Sequence, residues 1–221
     1  MTNDWSSWTA AAFRGASLGV DEWRLDAEFV GVRIVGGLAL AGPGTLRSPV
    51  SFAKTIRAAM TNAQAPPAVA DAVSSCIWQA WKQWADGATI PGLPWYPAFF
   101  AWPAPVAPPT PNIPTPLSVC VSTGILAMTP SRLATAIKDQ LGSAPQPPGT
   151  PEAIDDLAEA FSEAFMTWTA TAMVMLALGA GTAPVAYPFV PVGLVTGTLV
   201  NNGRGCLAAA VPFPDTPPLR S

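Results

Sequence analysis

Residues 91–116 constrain the fold of this chain more than any other stretch of its sequence. The segment contains ten prolines and five aromatic residues among twenty-six positions, and it carries no charge. Proline fixes one backbone dihedral and has no amide hydrogen to donate, which excludes a regular helix or a central strand over most of this length. Solvated linkers are poor in aromatic residues. We therefore expect a stiff, extended segment that is ordered by the surface against which it lies.

The aromatic residues of this segment have a counterpart near the end of the chain. Residues 105–107 and 184–186 both read Pro-Val-Ala, and uncharged, proline-rich sequence surrounds each of them. Large aromatic side chains are enriched where proteins contact each other, and a proline-rich segment cannot build a core of its own. The sequence therefore predicts that these aromatic residues form an interface. The predicted interface residues are Trp95, Tyr96, Phe99, Phe100, Trp102, Tyr187 and Phe189.

The two proline-rich segments belong to a longer internal repeat. Residues 48–60 align with 129–141, where Arg57 falls on Lys138, and the following residues align with Asp71 on Asp155. In both copies a Ser-Pro or Thr-Pro pair precedes the first apolar stripe, and such a pair is typical of a helix start. Apolar residues then recur at steps of three and four, which indicates amphipathic helices. We interpret the two copies as products of one duplication.

The repeat divides the chain into four parts. We predict an N-terminal arm with short strands at 1–47, a first unit at 48–126, a second unit at 129–207 and an extended C-terminal tail at 208–221. Residues 28–46 are rich in β-branched and apolar residues and predict one or two strands that turn at Gly36-Gly37. The expected tail lies on a neighbour or extends into solvent. The predicted fold is mainly α, with long extended proline-rich segments, a minor β element and two copies of a helix-turn-helix unit with a proline-rich arm.

The charge content restricts the partners of the chain. Half of the residues are hydrophobic and 11% are charged, whereas soluble domains usually have about 25% charged residues. Such a surface is expected to be covered by other molecules. The eleven Lys and Arg residues are scattered singly, so we predict no nucleic-acid partner, because nucleic-acid binding needs a basic face.

No set of residues predicts catalysis, a cofactor or a metal site. The chain lacks histidine, and Cys76, Cys120 and Cys206 have no CxxC spacing, so buried free thiols are expected. The stretch from Gly15 to Gly19 has the GxSxG spacing of a hydrolase nucleophile turn. Without a histidine to activate the serine, we interpret it as a glycine-rich turn before the first strand.

One acidic cluster leaves an alternative open. Its residues are Glu152, Asp155, Asp156, Glu159 and Glu163. Carboxylates at these spacings share a helix face and could hold a divalent ion or perform acid–base chemistry on glycans that tryptophans bind. The same residues are also what a solvated helix shows near its N-terminus. Trp81 and Trp84, at helical spacing with Ile77, are interpreted as core residues.

A second alternative concerns the membrane. Residues 164–183 contain no charge and have about the length of a spanning helix. Their counterpart in the first unit begins at Ala80 and includes Lys82 and Asp86, which argues against insertion. The N-terminus lacks the pattern of a signal peptide. A ligand role of residues 91–116 for a proline-binding module is disfavoured, because the nearest charges are Asp86 and Arg132.

Together these features predict a non-enzymatic structural subunit of a large assembly. A phage virion, a tail or baseplate, or a contractile tail-like particle would suit its low charge and uncharged arms. The expected partners are copies of the chain itself and other structural subunits. The expected location is a virion or a particle assembled in the cytoplasm, and the alternative is a membrane-associated protein with a hydrophobic helix near 164–183.

Overall fold

A computed structural model of the chain describes residues 4–35, 38–94, 106–110, 114–175, 179–182, 200–209 and 211–218. Within these residues five α-helices run over Trp5–Asp26 (α1), Ala53–Asn62 (α2), Pro67–Gly87 (α3), Pro130–Leu141 (α4) and Thr150–Thr171 (α5). Nine strands run over Glu28–Val35 (β1), Leu38–Ala41 (β2), Leu46–Arg47 (β3), Ile90–Pro94 (β4), Val106–Thr110 (β5), Thr115–Pro116 (β6), Ala172–Met175 (β7), Gly179–Thr182 (β8) and Val200–Ala209 (β9). Two 3-10 helices, Leu117–Val119 and Ile125–Met128, precede α4.

The predicted fold class is wrong, because the chain is a mixed α/β protein. In the described residues seven strands form an antiparallel sheet in the order β4-β2-β1-β9-β7-β6, with β3 paired to β1, and β5 pairs with β8 in a separate ribbon. The β element is therefore a major layer and not a minor one. The strands were missed because several lack the usual signals. β9 reads VNNGRGCLAA, and β4 contains two prolines and a glycine, residues that are depleted in strands.

Part of the local prediction holds. β1 and β2 form the expected antiparallel pair, in which Val35 lies opposite Leu38. α4 begins at Pro130 after Thr129, and α3 begins at Pro67. The expected start at Ser48-Pro49 is wrong, because α2 begins at Ala53.

The stretch from Gly15 to Gly19 lies inside α1 and is not a turn. A Cβ atom at Gly15 would lie 2.6 Å from the Cα of Ile56, and one at Gly19 would lie 2.1 Å from the Cβ of Phe52. The two glycines are four residues apart on one helix face, so they let α2 approach the backbone of α1. Glycine normally weakens a helix interior, and here the close contact with α2 explains its presence.

The two predicted units place their helices in matching pairs. In each, a short helix precedes a long one, and one ion pair links them: Arg57 with Asp71, and Lys138 with Asp155, where Nζ lies 2.6 Å from Oδ1. These are the residues that the repeat alignment superposes. The common origin of the units stays a prediction.

The long helices of the two units meet in an aromatic core. Trp81 and Trp84 of α3 are almost fully buried, as expected, and so are Phe165 and Trp168 of α5. The ring centroids of Trp84 and Phe165 lie 5.0 Å apart, and those of Trp81 and Trp168 lie 5.1 Å apart. Trp23 of α1 completes the cluster by packing edge-on against Trp81. Aromatic side chains of the two long helices therefore hold the two units together.

Both ends of the described chain join the same core. α1 begins after Asp4, whose side chain accepts a hydrogen bond from the Ser7 amide, and its inner face is buried. The start of the segment expected to be an N-terminal arm is thus a core helix of 22 residues. Phe213 is 1% exposed and packs against Phe161 at a centroid distance of 5.3 Å. This part of the tail therefore lies on its own chain and not on a neighbour.

The hydrophobic segment 164–183 does not form one helix. α5 ends at Thr171, and the chain continues as the strands β7 and β8. In the part of the chain that the structure describes, no helix is long and apolar enough to cross a bilayer.

Candidate interaction surfaces

The aromatic residues predicted to form an interface lie outside the described residues. They are Trp95, Tyr96, Phe99, Phe100, Trp102, Tyr187 and Phe189. Their role at an interface stays a prediction, and the described part of the chain presents other candidate surfaces.

The segment Leu117–Met128, called here the apolar turn, exposes a group of large apolar side chains. Within eight residues, Val119 is 45% exposed, Val121 63%, Ile125 36% and Leu126 64%. The segment belongs to a stretch without charge that extends from 87 to 131. Single exposed apolar residues are normal on a protein surface, whereas a group of them marks an interaction site.

Hydrogen bonds fix the apolar turn to the end of α3. The Ser122 hydroxyl donates to the Trp84 carbonyl at 2.6 Å and accepts from the Gly124 amide at 3.0 Å. Thr89 donates to the Val121 carbonyl through its amide and its hydroxyl, each at 2.8 Å. A Cβ atom at Gly124 would lie 2.0 Å from the Gln83 carbonyl oxygen. The backbone of the turn therefore packs directly on α3.

The other end of the apolar turn is fixed to α5. The Ser162 hydroxyl lies 2.7 Å from the Met128 carbonyl oxygen and 2.8 Å from the Ala158 carbonyl oxygen one helical turn earlier, and the two acceptors share its single hydrogen. The side chains of Leu117, Cys120 and Met128 point inward and are buried. Burial raises the pKa of the Cys120 thiol to about 12, which keeps this thiol protonated. The turn thus separates a buried row of side chains from an exposed apolar one.

The acidic cluster lies on the outer face of α5, and the structure separates its members. Asp155 pairs with Lys138 of α4, so it belongs to the link between the two helices. Asp156, Glu159 and Glu163 line a groove of about 530 Å³ between α5, the start of α1 and the tail, with Trp5 on the α1 side and Pro217 on the tail side. Within the described residues no group of three Asp, Glu or Cys side chains has the arrangement of a metal site. The groove is a negatively charged surface with an aromatic wall.

The cysteines agree in part with the sequence prediction. Cys76 and Cys120 are buried free thiols, and Cys206 is a half-buried free thiol. The Cys76 thiol lies 3.2 Å from Oε1 of Gln140, and burial raises its pKa.

Sequence reasoning missed the apolar turn and the outer face of α1. Leu18 and Leu25 of α1 are 71% and 73% exposed, the highest values among the large apolar residues that the structure describes. The uncharged stretch around the turn was the available signal, but the sequence does not show which of its residues face outward. That depends on the hydrogen bond between Ser122 and Trp84, which joins residues far apart in sequence. Comparisons with protein families, with curated proteins and with solved structures gave no match to this chain.

Proposed function

We propose that this chain is a non-enzymatic structural subunit of a large protein assembly. The candidates are a phage virion, a tail or baseplate, and a contractile tail-like particle. Its partners are copies of itself and other structural subunits, which it contacts through uncharged apolar surfaces. The observation that carries the proposal is the apolar turn, where four exposed apolar side chains sit on a backbone fixed at both ends.

The rigidity of the apolar turn matters for binding. A surface that is already ordered loses little conformational entropy when a partner covers it. The Ser122 hydroxyl bonds to the Trp84 carbonyl of α3, and the Met128 carbonyl accepts from Ser162 of α5, so the backbone that carries the outward side chains is held without a partner. Burying an apolar side chain contributes about 25 cal/mol per Å² of area removed from water. The low charge of the chain points the same way, since 11% charged residues leave few groups to oppose association.

The size of the native particle tests the proposal directly. We expect the chain to sediment in a particle much larger than its own 22.9 kDa and to appear at regular positions in images of that particle. A chain that is a free monomer in its native source would contradict the proposal.

A charge placed in the apolar turn tests the surface itself. The double variant Val121→Asp/Leu126→Asp should fold normally, because both side chains are exposed, but it should no longer enter the particle. The matched control is Ser143→Asp/Gln146→Asp, which adds the same charge at exposed positions after α4. Assembly is measured by sedimentation, and folding by circular dichroism. If both variants assemble like the unmodified chain, the apolar turn is not a subunit contact.

A further inference from the structure

The outer face of α1 carries two exposed leucines. Leu18 and Leu25 are seven residues apart, so they lie on one stripe of the helix. The opposite face of α1 is buried in the core through Trp23, Phe13 and their neighbours. α1 therefore has an inner apolar face that the fold covers and an outer apolar stripe that it leaves exposed.

A groove lies directly beside this stripe. It is an open cavity of about 580 Å³ between α1 and α2, lined by Gly15, Leu18, Thr55, Ala58 and Ala59. The groove is lined mainly by small side chains. Gly15 and Gly19 have no side chain, which allows α2 to pack close to α1 at the bottom of the groove. Leu18 thus protrudes into solvent at the edge of this cavity. Two copies of such a surface can pack against each other through the same residues, as an interface with two-fold symmetry requires.

The charges on this face favour a second copy over an unrelated partner. Arg14 precedes Leu18 by four residues, and Glu22 follows it by four. Both side chains are exposed, and neither forms an ion pair in the described part of the chain. If two α1 helices cross in opposite directions at Leu18, Arg14 of each copy faces Glu22 of the other. Opposite charges then meet twice around a central apolar contact.

We infer that two copies of the chain associate through α1, antiparallel and about a two-fold axis at Leu18. The two Leu18 side chains meet at this axis, each beside the groove between α1 and α2, and Arg14 pairs with the opposite Glu22. The inference rests on the proposed function and deepens it, since it names the chain itself as the partner at one subunit contact.

Cysteine cross-linking tests the position of the axis. In the proposed arrangement two Leu18→Cys side chains face each other at the crossing point and should form a disulfide under mild oxidation. The matched control is Leu25→Cys, which is equally exposed. Its two copies would be separated by about 21 Å along the helices, from a rise of about 1.5 Å per residue, so it should not cross-link to itself. The unmodified chain gives the background from the native cysteines.

The orientation has its own cross-linking test. Arg14→Cys and Glu22→Cys should give a disulfide when mixed, and neither should give one alone. Absence of a Leu18→Cys dimer, or an equal yield from Leu25→Cys, overturns the inference. A disulfide from Arg14→Cys alone overturns the antiparallel orientation.

Charge reversal separates an interface from a role in folding. Arg14→Glu and Glu22→Arg should each weaken self-association about tenfold, because each places like charges together at two symmetric positions. The double variant Arg14→Glu/Glu22→Arg restores both pairs and should return to within about twofold of the unmodified chain. Self-association is measured by sedimentation equilibrium. Failure of the double variant to recover would overturn the proposed pairing.

The inference and the proposed function can fail separately. If the chain occurs in a large particle but Leu18→Cys does not cross-link, the inference is wrong and the proposed function stands. If Leu18→Cys cross-links but the native species is no larger than a dimer, the inference stands and the proposed function is wrong.

Discussion

Replacing Phe213 with alanine tests whether the C-terminal segment belongs to the core of its own chain. Phe213 is 1% exposed, and its ring lies 5.3 Å from that of Phe161, 6.2 Å from Trp81 and 6.5 Å from Phe13. Truncating a phenylalanine in such a site costs about 3–5 kcal/mol, because the apolar contact is lost and a cavity remains. For a chain of this size, that loss lowers the melting temperature by about 6–20 °C. Thermal unfolding followed by tryptophan fluorescence measures the shift, since Trp81 contacts the substituted ring.

The control for this experiment lies two residues away. Val211 is 48% exposed, so Val211→Ala should change the free energy of unfolding by less than about 0.5 kcal/mol. If the tail instead packed on a neighbouring subunit, Phe213→Ala would change the free energy of unfolding of the isolated chain as little as Val211→Ala does. Equal melting temperatures for Phe213→Ala, Val211→Ala and the unmodified chain would therefore refute the placement of the tail.

Three further predictions follow from other parts of the fold. Gly15→Ala should destabilise the chain by about 1–3 kcal/mol, because the new Cβ meets the backbone of α2. Gly42→Ala should be neutral in urea unfolding, because among the described residues no atom beyond its chain neighbours lies within 4 Å of its Cβ position. Arg57→Ala and Lys138→Ala should each cost less than about 1 kcal/mol, and both losses should disappear in 1 M salt, because the ion pairs that they break are exposed. Because burial raises the pKa of Cys120 from 9.0 to about 12, the folded chain holds this proton more tightly than the unfolded chain does. Its contribution to stability should be complete below pH 9 and decline between pH 9 and 12, and Cys120→Ala should remove that part of the pH dependence in urea unfolding.

The helices could be predicted from the sequence because their signals are local. The residues that form each signal are close together in sequence, as in the apolar stripe of α3 and the Thr129-Pro130 start of α4. The structure confirms both helices. The core role of Trp81 and Trp84 follows from the same stripe.

The sheet could not be predicted in the same way, because its pairing is not local. β9 contains three residues of Asn or Gly before Arg204, and it becomes a strand by lying between β1 and β7. β7 follows α5 directly, and its apolar sequence looks like a continuation of that helix. The candidate surfaces share this difficulty. The sequence does not distinguish Leu18 from the buried apolar residues of α1, because the side of the helix that is covered depends on where α2 packs.

The joining of the two chain ends has a consequence for synthesis. Ser17 of α1 donates a hydrogen bond to the Phe213 carbonyl, across 196 positions of sequence, and β1 pairs with β9. At about 5–20 residues per second, the ribosome needs roughly 10–40 s to make the residues between them. During that time the inner face of α1 has no complete core to join, so apolar side chains such as Phe13 remain accessible. Folding of this chain is therefore completed only after translation has passed residue 213, and we expect the nascent N-terminal part to expose apolar surface until then.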